Sequence, residues 1–252
     1  MVLTLLLALA QAPLASDTTL FPPRETLVRL YTNCDEARWP WGTNETFVPK
    51  TPEELTAGVA RRQALEQRWR AYFTERAGDS IVPTPFDAWA WPLAVRGRLR
   101  NNFASPRADG PHEALDIFVE REGALIRSPV SGVVVATGDN WQGGFTRASG
   151  FYYEGDGLSR RAGNGMMIFD PASGGYAYMA HLRAGLLVST GDLVRRGQPV
   201  GRVGHSGNAA RPGHGKHLHF AFKQAGSGCG VDSVLVPVNP YAWLRAARAA
   251  RR

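Results

Sequence analysis

Gly213–Lys223 reads GHGKHLHFAFK, and both the fold and the chemistry of the chain work outward from it. In an extended strand successive side chains point to opposite faces. His217, His219, Ala221 and Lys223 therefore share one face, and Leu218, Phe220 and Phe222 share the other. The second face is apolar and suits a core. The first offers two imidazoles about 7 Å apart. That spacing lets one histidine bind a metal while its neighbour reaches a substrate or a water beside it, as a hydrolytic zinc site requires. Taken alone, H-x-H also fits two solvated surface histidines.

Two upstream stretches keep it company. Pro111–Phe118, PHEALDIF, supplies a nitrogen from His112 and a carboxylate oxygen from Asp116, both ordinary zinc ligands. Fully extended, their Cα atoms would lie about 13 Å apart, too far to share one ion, so the chain must curl there. Gly110-Pro111 makes a turn plausible at that point. Gly175–Leu182, GYAYMAHL, is a tyrosine-rich strand pattern ending in His181.

The order H-x-x-x-D, then a strand ending in histidine and leucine, then H-L-H-F resembles the lysostaphin/LytM-type zinc metallopeptidases, which cut peptide bonds in bacterial cell-wall peptidoglycan. Pro92–Phe103 is similar to that family's entry strand and turn, Val130–Thr137 (VSGVVVAT) to its hairpin strand, and Gly191–Gly207 to its glycine-punctuated segment. The likeness runs from Trp91 to Pro240. It implies a peptidoglycan endopeptidase holding one Zn²⁺ per chain on His112, Asp116 and His219, with a fourth position left for water. His181 and His217 are then the catalytic pair that does not bind metal; which of them takes a proton and which supports the oxyanion stays open. The family usually has glycine where this chain has Ala114, a departure that matters only if that position needs positive φ.

The rest of the chain sets the context. With 252 residues, 44% hydrophobic and 20% charged, it can bury one substantial core. Residues 1–16 read as a signal peptide, with the apolar run Val2–Ala10 too short to span a bilayer and cleavage expected after Ala10. The protein is therefore expected to be exported, to the periplasm or beyond, although no Lys or Arg precedes Arg24. Cys34 and Cys229 permit one disulfide. Relatives held latent by an N-terminal side chain suggest the same task for Asn33, Cys34 or Asp35. Residues 17–90 form an extension: irregular chain to Lys50, a helix from the Thr51-Pro52-Glu53-Glu54 capping box to about Ala77, and a Pro- and aromatic-rich connector over Gly78–Pro92. Leu55, Val59, Trp69, Tyr72 and Phe73 fall near one face of that helix, and its arginines read as a solvated face, with substrate binding as the alternative.

From Leu93 onward, short apolar runs (LDIFV, VVVAT, MMIFD, YAYMA, LLVST, PVGRV, HLHFAF) alternate with glycine turns. The pattern predicts a mainly β domain, an antiparallel sandwich or barrel over residues 91–240. Asp139–Asn164 reads as a long irregular insertion whose aromatics wall the substrate groove. His205 and His214, both among glycines, are expected in loops. Residues 241–252 form a basic helix with four arginines. The net charge of +7 suits adhesion to anionic envelope polymers; no nucleic-acid-reading motif accompanies it and no run of residues forms a membrane span. Partners expected are peptidoglycan stem or cross-link peptides. The competing functional expectations are a catalytically inactive wall-binding protein that regulates another hydrolase, and an unrelated zinc hydrolase of small amides.

Overall fold

The computed structural model describes residues 20–21, 51–77, 88–107, 110–148, 150–155, 157–228 and 230–251. The expected signal peptide, both cysteines and the segment Asn33–Asp35 lie outside these residues. Helix α1 (Pro52–Ala77) precedes β1 (Arg98–Leu99), β2 (Pro106–Arg107), β3 (Gly110–Pro111), β4 (Leu115–Phe118), β5 (Leu125–Arg127) and β6 (Gly132–Gly138). There follow β7 (Gln142–Thr146), β8 (Gly150–Glu154), β9 (Asn164–Asp170), β10 (Gly175–Leu182), β11 (Leu193–Val194) and β12 (Pro199–Arg202). A 3-10 turn (Gly207–Ala210), β13 (His217–Gly228), β14 (Val231–Val238) and helix α2 (Tyr241–Ala249) complete the chain.

Strand β13 is the spine of one antiparallel sheet ordered β1-β4-β13-β10-β9-β6-β11. Its first half pairs with β4 and its second half with β14, while β10 runs along its other edge. The alternation read in HLHFAF holds: Leu218, Phe220 and Phe222 enter one core with Leu115, Ile117, Ala177, Met179 and Ile168. The small sheet β5–β12 covers that core through Ile126 and Val200, and α2 adds Leu244 and Ala247. The arrangement is a sheet packed on a smaller sheet, as the run of short strands predicts.

The opposite face is covered by α1. Thr51 and Glu54 close a reciprocal capping box, the Thr51 N–H donating to Glu54 Oε2 (2.9 Å) and the Glu54 N–H to Thr51 Oγ1 (3.2 Å). Leu55, Leu65, Trp69, Tyr72 and Phe73 are buried at helical spacing. Trp69 reaches Phe169 on β9, with ring centroids 5.5 Å apart, and its Nε1–H donates to the Leu20 carbonyl (2.7 Å). With helix on one side and small sheet on the other, β9 and β10 are buried on both faces. This is why MMIF and YAYMA read as unbroken apolar runs rather than alternating ones.

Arg62 departs from the amphipathic pattern: it is 1% exposed on the buried face of α1. It donates to Glu66 Oε1 (2.9 Å) and to the Ser233 carbonyl (2.5 Å), and Glu66 accepts a hydrogen bond from Tyr176 (2.5 Å). Arg70 donates to the Pro171 carbonyl and stacks over Phe169 at 5.3 Å. Both helix arginines hold the helix to the sheet, Arg62 buried and Arg70 from an exposed position.

Four readings of the sequence are corrected. The LLVST run is not a strand: the Leu186 N–H, with that of Gly185 just before it, binds the Asp139 carboxylate, the Ser189 N–H binds Asp192, and the Leu187 N–H reaches the Val200 carbonyl. The insertion after Asp139 is not irregular; β7 and β8 form a hairpin with Phe145 opposite Phe151. Strand β14, VDSVLVPV, was hidden by its polar start and by Pro237, which an edge strand tolerates. Trp89 and Trp91, read as part of a connector, are core residues, Trp89 lying 4.8 Å from Phe222 and 5.4 Å from Trp243 between ring centroids.

If α1 is a wall of the core, Trp69→Ala removes a side chain with no exposed surface and costs about 3–5 kcal/mol of unfolding free energy. Urea unfolding of the two proteins measures the difference; a loss below about 1 kcal/mol, the range of surface substitutions, would mean that the helix does not dock as described.

Candidate metal centre

The sheet register sets the centre. Across β4 and β13, Asp116 stands directly opposite His219, and His217 opposite Phe118. His112 lies just before β4, where Glu113 adopts a left-handed backbone (φ 55°) and curls the chain as the His112–Asp116 spacing demands. The positive φ falls on Glu113 and not on Ala114, so the methyl group at Ala114 is no obstacle to the turn. The bend is held by His112 N–H to the Ser105 carbonyl (2.9 Å) and Glu113 N–H to the Phe103 carbonyl (2.8 Å).

Three donor atoms converge as a result. His112 Nε2, Asp116 Oδ1 and His219 Nδ1 are each 3.3 Å from the other two. Adjacent corners of a tetrahedron with ligands about 2.0–2.1 Å from its centre are separated by about 3.3 Å, so this triangle fits three sites of a tetrahedral zinc. The donor chemistry fits too. His112 Nδ1 donates to the Asn102 carbonyl (3.2 Å), which leaves the Nε2 lone pair for a metal. Asp116 turns its other oxygen, Oδ2, to Asn102 Nδ2 (3.1 Å) and Arg107 Nη2 (3.0 Å), and its backbone N–H to Asn102 Oδ1 (3.2 Å), so Oδ1 alone faces the histidines. Burial pushes the Asp116 carboxyl up, but its contacts with His112, His219 and His217 outweigh it and hold the group well below the usual carboxylate range.

The remaining two histidines flank the triangle. His217 Nδ1 meets the Gly215 carbonyl (2.5 Å), and its Nε2 lies 3.5 Å from Asp116 Oδ1. His181 is carried at the end of β10, where the pairing with β9 shifts register between Met179 and Leu182 and the residue itself adopts φ 63°. Its backbone N–H bonds the Ala162 carbonyl (2.9 Å) and its Nδ1 faces the carbonyls of Ala162 and Ser206 (3.0 Å each). Carbonyls only accept, so Nδ1 carries the proton and Nε2 the lone pair in both rings. The His181 ring centroid is 4.9 Å from that of His217 and 5.4 Å from that of His219. Burial lowers the pKa of His181, His217 and His219, His181 most strongly.

All five histidine and aspartate positions singled out in the sequence thus share one site, in a cavity of about 600 Å³. His214 also lines the cavity; His205 does not. Of the insertion, Ser159, Arg161 and Ala162 contribute to the wall, whereas its described aromatics Trp141, Phe145 and Tyr152 do not. Sequence reading missed Asn102, Arg107, Ser206 and Tyr178. Ser206 is a buried clamp, taking the Asn164 N–H (2.9 Å) and donating to the Leu182 carbonyl (2.7 Å) while its own carbonyl orients His181. Burial pushes the Tyr178 phenol up, which keeps an O–H in the wall beside His219. Nothing in an isolated Asn, Arg, Ser or Tyr codon position marks such partners; only the fold brings them in.

Residues 110–231 match the family model described as Peptidase family M23. No curated protein sequence shows significant similarity to the chain. Among solved structures, the chain is similar to a protein assigned as the glycyl-glycine endopeptidase LytM of Ruminococcus gnavus (22% identity, TM-score 0.49, 95% of this chain and 94% of that one). It is also similar to lysostaphin of Staphylococcus simulans (19% identity, TM-score 0.40, 60% and 51% of the two chains). A third likeness is to a protein of Pseudomonas aeruginosa assigned to peptidase M23 (24% identity, TM-score 0.42, 79% and 64%). The family match covers the whole span from the turn before His112 to the start of β14, and over that span the β domain of this chain matches peptidase family M23.

Proposed function

We propose that the protein is an exported, zinc-dependent endopeptidase that hydrolyses peptide bonds in bacterial cell-wall peptidoglycan. The observation that carries this reading is the 3.3 Å triangle of His112 Nε2, Asp116 Oδ1 and His219 Nδ1 with His181 and His217 against it. The match of residues 110–231 to peptidase family M23 supports the reaction and the substrate class. Export rests on the N-terminal apolar run alone.

His112, Asp116 and His219 would hold the ion, leaving an open fourth position. When bound, zinc supplies a Lewis acid and a nucleophile usable at neutral pH. The chain's own residues do the remaining work. His181 and His217, each with Nδ1–H tied to a backbone carbonyl, present Nε2 to the same space. In neutral form either Nε2 accepts a proton from the attacking water; once protonated it donates to the oxyanion or to the departing amine. Asn102 and Arg107 hold Asp116 Oδ2, so the carboxylate cannot rotate away. Buried Ser206 and Ala162 fix the His181 ring, so the base is positioned before substrate arrives.

Three outcomes are expected. The purified protein binds one zinc, and a chelator abolishes release of soluble fragments from cell-wall sacculi; no zinc and no release would sink the reading. His219→Ala and Asp116→Ala lose both metal and activity, whereas His181→Ala and His217→Ala keep zinc and lose turnover by about 10²–10⁴-fold, the usual yield of acid–base groups. Metal analysis beside a sacculus assay separates the two classes, and equal zinc loss in all four variants contradicts the division of roles. Asn102→Ala weakens zinc affinity by about 10–100-fold, measured by competition with a chelating dye, since it removes the side chain that holds Asp116 Oδ2 and the Asp116 N–H while leaving the carbonyl that orients His112.

A further inference from the structure

The wall of the cavity around the metal centre is cationic. Arg107 from β2, Arg161 from the turn before β9 and Arg211 from the loop after the 3-10 turn all line it, and so does His214. Against them, among the described residues, the lining holds one carboxylate, Glu113, besides the Asp116 of the triangle. The three arginines come from three separate segments, so the charge does not belong to one basic stretch. Arg107 is 42% exposed at its side chain even while it holds Asp116 Oδ2, leaving part of its guanidinium to the cavity. Arg161 is near enough for its charge to act on the buried Tyr178 phenol. Arg211 sits where the loop is pinned, its carbonyl taking the His214 N–H (3.3 Å) and its N–H reaching the Asn208 carbonyl (3.2 Å).

We infer that this site selects peptides with free carboxylates flanking the scissile amide, an acidic wall peptide in preference to an uncharged glycine bridge. The inference rests on the peptidase reading above and sharpens its substrate. A cleft of one charge sign with low-dielectric walls focuses its field and raises the local concentration of oppositely charged substrate. Guanidinium groups match carboxylates with paired, charge-assisted hydrogen bonds, and Arg161 and Arg211 line the cavity without belonging to the set of three metal-binding side chains. A glycine bridge has no charge to offer them.

The test compares untreated sacculi with sacculi whose carboxylates have been converted to carboxamides by carbodiimide and ammonia, using the zinc-loaded full chain. Untreated material is expected to be digested at least about tenfold faster at low salt, with the advantage shrinking as ionic strength rises past about 0.15 M. Arg161→Gln together with Arg211→Gln is expected to erase most of that preference, through a higher KM on untreated material with a small change in kcat. Equal rates on the two substrates, faster release from the amidated one, or a preference that survives the double substitution would each overturn the inference while leaving the peptidase standing. Release from neither would overturn both. Zinc content and circular dichroism of the double variant exclude loss of the site or of the fold as the cause.

Discussion

The pairing of Asp116 with His219 across β4 and β13 is the constraint on which the centre depends. Side chains alternate along a strand, so a slip of one residue would send every donor on β13 into the core and every core residue to the cavity. What forbids the slip is the apolar side of the same strands. Leu115, Ile117, Leu218 and Phe220 are fully buried on the far face, each worth about 1.5–3 kcal/mol for removal from water. The polar geometry is thus maintained by hydrophobic burial one residue away on either side.

Backbone carbonyls then decide what each ring offers. Asn102, Gly215, Ala162 and Ser206 supply them, from loops far apart in sequence, and each imidazole so held directs a defined nitrogen inward. Holding His181 this way requires a left-handed backbone at a residue other than glycine, a conformation costing of order 1–3 kcal/mol. The surrounding hydrogen bonds of Gly204, Ala162 and Ser206 impose it.

Much of this was legible in the chain. The H-x-H alternation, the need for a curl between His112 and Asp116, and the capping box at Thr51 are local patterns with one physical meaning, and the structure contains each. The misses share a different cause. LLVST has strand composition, but Asp139, 47 residues upstream, takes the Leu186 donor, and Asp192 takes that of Ser189 in a local turn. Arg62 breaks an apolar stripe and is accepted because Glu66, Tyr176 and the Ser233 carbonyl are waiting for it. Asn102 and Arg107 look like ordinary loop residues until the fold sets them beside Asp116. Side-chain partners from elsewhere in the chain leave no periodic trace, and that is where reading by pattern stops.

Strand β13 shares its polar-side face between two occupants. His217 and His219 belong to the cavity, while Ala221, further along the same row, lies in the layer with Trp69, Phe169 and Tyr176 beneath α1. The helix is therefore part of the wall of the β domain, although it lies outside the span matched by the family. Modularity is lost at that point: a unit cut at the family boundary and grafted to another protein would carry bare Phe169 and Tyr176 into water. Any portable version of this domain has to begin before Thr51.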